Sequence, residues 1–252
     1  MKVVFLSGGA REKALRYLIQ KNISIEAVIT PFLSSKNDRF KQVILTAIKN
    51  GVKVIPVNRD SLTPTLKEIK PDVLISCGFP YMLDQSAIDS ARYAINVHPT
   101  LLPEYRGYRS GPYIIMNGEK QTGVTVHFLT TEMDQGEIIA QTSFDVIPFD
   151  TTKSLFRKCQ EIEPELIYSV LEQIRTGQVQ VYPQDESRAS VFSHIRTPED
   201  SFIDWNKSLK ELFNEIRACD PIDYPAFFFV DGQKVCIKLW RPEKPETDFD
   251  MI

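Results

Sequence analysis

The sequence predicts an α/β protein: a Rossmann-like, mostly parallel twisted sheet with an antiparallel hairpin, followed by a small C-terminal α+β unit. Three observations predict it. Strand-sized apolar runs alternate with amphipathic helical segments from residue 2 to residue 97. These runs are continuous rather than alternating, as strands covered by helices on both faces require. After residue 117 the rhythm changes to two β-rich segments around a turn, and near the end an Asp-Gly pair separates two more apolar runs.

The elements follow in order. Lys2–Leu6 is a strand ending in Ser7-Gly8-Gly9, and Arg11–Lys21 is a helix. Ala27–Thr30 is a strand stopped by Pro31, and Phe40–Asn50 is an amphipathic helix stopped by Gly51. Val52–Val57 is a strand, and Pro64–Lys70 a short helix with Thr63 as N-cap and Pro64 at its first position. Val73–Cys77 and Tyr93–Val97 are strands around a helical Asp84–Ala91. Gly111–Asn117 is a short helix. Gly123–Thr130 and Glu137–Val146 form an antiparallel pair around the turn Thr131–Gly136. Thr152–Thr176 has helical periodicity, but Pro164 inside it predicts a kink or break. Gln178–Tyr182 reads as a strand and Pro183–Ser190 as a linker, dividing the chain into domains 1–183 and 191–252. The second holds a helix over Trp205–Ala218 and a hairpin, Ala226–Val230 with Lys234–Trp240. Residues 241–252 read as a frayed tail.

Composition narrows the function. With 42% hydrophobic and 25% charged residues the chain is of ordinary globular type, large enough for a sizeable core. Net charge of −3 argues against a nucleic-acid partner. No apolar run reaches membrane-spanning length, and the N-terminus lacks a secretory signal. Cys77, Cys159, Cys219 and Cys236 form no C-x-x-C pair and read as small buried hydrophobes of a cytoplasmic protein. No metal-ligand spacing is present.

Chemistry concentrates at two places. Asn96 and His98 leave the carboxyl end of a parallel strand, where open α/β sheets place their sites. Two residues apart, they point to one side, and Pro99 keeps His98 extended. Asp134 lies in the hairpin turn and supplies the carboxylate an acid–base site needs. Ser7-Gly8-Gly9 lacks the full G-x-G-x-x-G pattern and reads as a tight turn, with Arg11 just beyond it to meet a phosphate. His127, mid-strand, reads as structural, and His194 receives no role.

The segment from Asn96 to Gly107, Asn-Val-His-Pro-Thr-Leu-Leu-Pro-Glu-Tyr-Arg-Gly, resembles the signature of the folate-dependent formyltransferases. So does Gly123-Val124-Thr125-Val126-His127 followed by Met133-Asp134-Gln135-Gly136. The resemblance spans about residues 1–180 in element order. Arg196–Trp205, with Ile216-Arg217-Ala218 and Tyr224–Phe227, resembles the segment that follows the catalytic domain in the transfer-RNA and amino-sugar branches.

The resemblance implies transfer of a formyl group from N10-formyltetrahydrofolate to a primary amine, without a metal. It places the catalytic roles on Asn96, His98 and Asp134. It places the folate against Phe79, Pro80, Tyr81, Met82, Leu83, Tyr108, Thr130, Thr131, Glu132 and Met133. Arg11, Arg106 and Arg109 become candidates for an anionic substrate. The short C-terminus and the net charge favour a nucleotide-linked amino sugar destined for surface polysaccharide, the sugar N-formyltransferase activity. Methionyl-tRNA formyltransferase and glycinamide ribonucleotide transformylase activities are the alternatives within the family. Two alternatives come from other function classes: a formyl-folate hydrolase, which would use the same triad with water as nucleophile and carry an N-terminal regulatory domain, and a non-catalytic nucleotide-binding module that keeps the fold. The aromatic-rich hairpin Ala226–Trp240 makes a homodimer possible.

Overall fold

The computed structural model describes residues 1–33, 39–108, 110–192, 194, 196–220, 224–248 and 250–252. The fold class is as the sequence predicts. Strands β1 (Val3–Leu6), β2 (Ile25–Pro31), β3 (Lys53–Val57), β4 (Val73–Cys77) and β5 (Tyr93–His98) alternate with helices α1 (Glu12–Gln20), α2 (Lys41–Lys49), α3 (Arg59–Ile69) and α4 (Gln85–Ile88). A two-residue strand β6 (Arg106–Gly107) and helix α5 (Gly111–Met116) lead into β7 (Gln121–Phe128) and β8 (Ile138–Asp145). Then come α6 (Thr152–Thr176), β9 (Val191–Phe192), α7 (Leu209–Ala218), β10 (Ala226–Val230) and β11 (Gln233–Ile237).

The central sheet has seven strands in the order β3-β2-β1-β4-β5-β7-β8. Its first five strands are parallel, and β7 and β8 join antiparallel. The order reverses between β1 and β4, which opens a crevice at their carboxyl ends. The continuous apolar strands are buried on both faces. One face carries Leu15 and Leu18 of α1, Val43 of α2 and Ile167, Val170 and Leu171 of α6. The other carries Leu62 and Leu66 of α3 and Ala87 of α4.

Helix α3 begins five residues before the expected Pro64. Asn58 caps it: its side chain accepts from the Ser61 N–H at 2.8 Å while its own N–H donates to Ser61 Oγ at 3.0 Å. This reciprocal box outweighs the single backbone bond that Pro64 removes. Helix α6 likewise runs unbroken through Pro164, capped by Thr151 with Ser154 at the start and left-handed Gly177 at the end. Its buried stripe holds it to the sheet. The strand expected at Gln178–Tyr182 is reduced to one bridge, Tyr182 with Ile138, because the Gln178 and Gln180 N–H groups donate to Gln173 instead of to a neighbouring strand.

Two expectations about loose segments are corrected. The span 183–190 is not a free linker. Asp185 caps a 3₁₀ turn over Glu186–Arg188, and the chain then pairs β9 with β6. The last residues are pinned rather than frayed: Thr151 Oγ1 donates to the Asp250 carbonyl at 2.6 Å, and the Ile252 N–H to the Phe149 carbonyl at 3.0 Å. Helix α7 lies against α5, and Arg217 reaches the carbonyls of Ile147 and Asp150. Ile203, Cys219 and Ala226 form a small core beneath the β10–β11 hairpin. Among the described residues no helix is long and apolar enough to cross a membrane.

One buried charge pair ties α1 to α6. Arg11 Nε lies 3.1 Å from Glu163 Oε2, the arginine 8% and the glutamate 1% exposed. Burial pushes the Glu163 carboxyl up in pKa against the pull of Arg11. Removing one partner leaves an uncompensated buried charge. Glu163→Ala is therefore expected to cost about 3–5 kcal/mol in denaturant unfolding, while an apolar replacement of both residues costs less. A Glu163→Ala midpoint equal to that of the unsubstituted protein would contradict this account of the pair.

Candidate active site

The last three residues of β5 carry the first half of the site. Asn96 and His98 share one face of the strand, as their spacing predicts. The antiparallel neighbour β7 sets His127 directly opposite Asn96 and Thr125 opposite His98. Thr125 also fixes the loop that leaves β5. Its hydroxyl donates to the Thr100 carbonyl at 2.7 Å and accepts from the Leu102 N–H at 3.1 Å. That loop ends at Tyr105, whose backbone is left-handed at φ 60°. The Tyr105 ring is stacked on Phe192 at 5.0 Å, and its hydroxyl donates to Glu119 and accepts from Asn117. Ring and hydroxyl together anchor a conformation that costs a non-glycine residue energy.

The turn between β7 and β8 brings Asp134 back over the strands. The Gly107 N–H donates to Asp134 Oδ2 at 2.9 Å, and the Asn96 amide to Oδ1 at 3.3 Å. His98 Nδ1 lies 3.4 Å from Oδ2, and His127 Nε2 3.5 Å from Oδ1. Gly136 is required here, since a Cβ would overlap the Phe128 carbonyl. Gly107 is required for the same reason against the Phe192 carbonyl, and its φ of 108° suits only glycine.

Tautomers follow from the partners. His127 Nδ1 is 2.8 Å from the Phe128 carbonyl and must donate, so its Nε2 accepts from the Asn96 amide at 3.1 Å. His98 Nε2 donates to the Tyr105 carbonyl at 2.9 Å, which leaves Nδ1 facing the carboxylate. Burial, the largest effect, lowers the His98 pKa; Asp134 and the Tyr105 carbonyl oppose it, and His127 adds to the lowering. For Asp134 burial works against ionisation. His98, His127 and the Gly107 N–H outweigh it and hold the carboxyl well below the usual range. Above its lowered pKa His98 is a neutral imidazole facing the carboxylate, and below it the two form an ion pair.

The structure thus joins Asn96, His98 and Asp134 in one group, and it adds to the structural reading of His127 that its ring faces both Asn96 and Asp134. The signal for it was the hairpin register, which composition alone does not reveal. Gln184 was also missed. Its amide donates to the carbonyls of Asp134 at 2.8 Å and Gly136 at 2.7 Å. It comes from the span taken for a linker.

The residues assigned to the folate divide. Phe79 and Tyr81 meet edge to face at 5.2 Å and pack, with Leu129, on the core beside β4 and β5. Pro80 sits on the β1 turn: a Cβ at Gly8 would meet it at 2.5 Å, and the Gly8 N–H donates to the Gly78 carbonyl. Met82, Tyr108, Thr131, Glu132 and Met133 are exposed, and Thr130 is half-buried with its hydroxyl donated to the Glu132 carbonyl. Leu83 is core, with its side chain turned away from solvent. The expectation of free cations is corrected at two positions. Arg11 is taken by Glu163, and Arg106, 2% exposed, is held by Gln184 and Glu186. Arg109 lies outside the described residues. Among the described residues no group of three or more His, Cys, Asp or Glu side chains is arranged to hold a metal.

Comparison with known proteins agrees on formyl transferases and divides over the acceptor. A family model described as formyl transferase matches residues 1–171, and one described as formyl transferase, C-terminal domain, matches residues 196–250. The methionyl-tRNA formyltransferase of Thermotoga neapolitana is 32% identical over 247 residues, covering 93% of this chain and 77% of its own length. That of Streptococcus pyogenes is 36% identical over 206 residues, 80% of this chain, which spans only 65% of that relative. Two solved structures share the fold. A 4-N formyltransferase from Francisella tularensis superposes with a TM-score of 0.80 at 21% identity, over 96% of this chain and 98% of that one. An N-formyltransferase from Helicobacter canadensis, in complex with folinic acid and dTDP-3-aminofucose, gives 0.68 at 21% identity, over 86% and 79%.

The neutral state of His98 is directly measurable. Its imidazole is expected to titrate below the ordinary 6.5 in an NMR pH series. The sign for stability follows: with the folded pKa lowered, the unfolded chain binds more protons in that window. His98 therefore costs nothing above pH 6.5 and destabilises as pH falls below it. A midpoint at or above 6.5 would overturn the assignment of a neutral resting imidazole.

Proposed function

The chain belongs to the formyl transferase family, and from that premise we propose that it transfers a formyl group from N10-formyltetrahydrofolate to the primary amine of a nucleotide-linked amino sugar. The observation that carries the chemistry is the close grouping of Asn96, whose amide donates to Asp134 at 3.3 Å, with His98, whose Nδ1 lies 3.4 Å from the same carboxylate. Formyl-folate supplies an activated one-carbon unit. The side chains fit it: an apolar edge at Phe79, Tyr81 and Leu129 borders the strand that carries Asn96, and Met82 and Met133 stand exposed on the two flanking loops.

The residues have separable tasks. The attacking nitrogen must lose a proton. His98 Nδ1 carries the free lone pair, and Asp134 at 3.4 Å stabilises the imidazolium that forms. The same Nδ1 then returns that proton to the departing nitrogen. The Asn96 amide has one hydrogen held by His127 at 3.1 Å and the other loosely by Asp134 at 3.3 Å. The second hydrogen turns to the formyl oxygen as negative charge develops there, a contribution of about 3 kcal/mol for one well-placed donor.

The acceptor reading rests on the net charge of −3, which suits a small anionic substrate better than transfer RNA. The similarity to methionyl-tRNA formyltransferases at 32% identity favours the second reading, formylation of charged transfer RNA. The cytoplasmic location, and a homodimer through the exposed face of Phe229 and Trp240, remain proposals of the same kind.

Three measurements test this reading. His98→Ala is expected to lower turnover about 100-fold or more, and near-normal turnover would remove its role. A folate analogue at saturation is expected to raise the melting temperature by about 5 °C or more, and no shift at millimolar analogue would count against the fold-to-folate assignment. For the acceptor, kcat/KM is compared between nucleotide-linked amino sugars, charged initiator transfer RNA and glycinamide ribonucleotide. A preference of about tenfold, roughly 1.4 kcal/mol, for either of the latter two would replace the sugar and leave the chemistry standing.

A further inference from the structure

The Asp134 carboxylate is where the site is most exacting, and the turn that carries it needs an outside restraint. Its backbone is left-handed at φ 55°, a region that aspartate enters at modest cost and that leaves the turn's placement to its surroundings. We propose that Gln184 is a positioning residue for the proposed formyl transfer, its side-chain amide clamping the Asp134 turn to the β6 strand so that the carboxylate stays against His98. The inference rests on the reading of the site given above.

The geometry is complete at every polar position of the amide. The two Nε2 hydrogens go to the carbonyls of Asp134 at 2.8 Å and Gly136 at 2.7 Å. The two lone pairs of Oε1 accept from Arg106 Nε at 3.0 Å and Nη2 at 2.7 Å. A glutamine can make no more bonds than these four. Arg106 is braced from the other side by Glu186, with Nη1 to Oε2 at 2.9 Å and Nη2 to Oε1 at 2.6 Å. Next along the chain, Gly107 donates its N–H to Asp134 Oδ2. Gln184 therefore fixes the backbone of Asp134 and, through Arg106, the strand that holds its side chain. Both restraints come from a segment that neither family model covers, residues 172–195. Glutamine is also the right chemistry. A carboxylate would present no donor to two carbonyls, and an ammonium no acceptor to a guanidinium.

The test compares Gln184→Met, which keeps the length and loses all four bonds, with Gln184→Glu, which keeps the acceptor for Arg106 and loses the donors. Arg188→Ala serves as the control. It loosens the same segment from Glu104 on the exposed outer face. The first readout needs no turnover: the NMR titration of His98. The charged and titratable groups facing that imidazole are Asp134, which raises its pKa, and His127, which lowers it. Moving the carboxylate away is expected to shift the Gln184→Met midpoint further down, with Arg188→Ala unchanged. The second readout is kinetic: kcat down about 10-fold or more in both Gln184 variants, with KM for formyl-folate within about twofold. An unchanged His98 midpoint and kcat in Gln184→Met overturns the proposal. If that variant does not fold, full kcat in Gln184→Glu overturns it. Equal losses in Arg188→Ala overturn it too, because they mark general slackness of the segment. Absence of formyl transfer by the unsubstituted protein sinks the functional reading instead, and the His98 titration still decides the clamp.

Discussion

The Asp134 carboxylate, taken out of water and ringed by groups from three strands, β5, β6 and β7, constrains the rest of the site. It accepts from the Gly107 N–H and the Asn96 amide and faces an imidazole on each side. A buried carboxylate without donors is costly, and one with several is both ionised and immobile. Each donor must therefore arrive from its own element with little freedom. That requirement explains features that look unrelated. Two glycines, 107 and 136, stand where any Cβ would strike a carbonyl. Two residues with side chains, Tyr105 and Asp134, take left-handed backbones. These local costs hold one fixed arrangement of donors, the preorganisation that the proposed transfer would draw on.

Much of this was legible in the sequence because it depends on local rules. Continuous apolar strands between amphipathic helices imply a parallel sheet covered on both faces, and the five parallel strands are where those runs lie. The period of two in a strand puts Asn96 and His98 on one side, and Pro99 keeps the chain extended past them. Helix boundaries were less legible at α3. A proline looks like a helix start, but Asn58 with Ser61 made a better one five residues earlier.

What stayed hidden depends on register and on long-range pairing. His127 reads as a core histidine until β7 sets it opposite Asn96. The polar run 183–190 has linker composition, yet its polarity is used: Gln184, Glu186 and Ser190 are the partners of Asp134, Arg106 and Tyr105. The same pairing hides Arg106. An arginine after a catalytic loop reads as an anion site, and nothing local reveals that two partners about eighty residues on occupy it. Composition thus identified which residues are polar, and only the fold shows which polar groups remain free.

That distinction bears on how the site would separate the proposed proton transfer from charge stabilisation. His98 and Asn96 stand two residues apart, but their orientations are set by different neighbours. His98 is turned by the Tyr105 carbonyl, which takes the Nε2 hydrogen and leaves Nδ1 as the only basic nitrogen. Asn96 is turned by His127, whose own donor is spent on the Phe128 carbonyl. Reversing the Asn96 amide would set its oxygen against a lone pair and a carboxylate together, so the donor orientation is enforced from two directions. Tyr105 is in turn held by the chain at 190–192, through Ser190 and Phe192. An imidazole oriented by a backbone carbonyl and an amide oriented by a cross-strand imidazole cannot exchange the roles proposed for them. The sheet register and the returning segment therefore fix the division of labour as firmly as the side chains do.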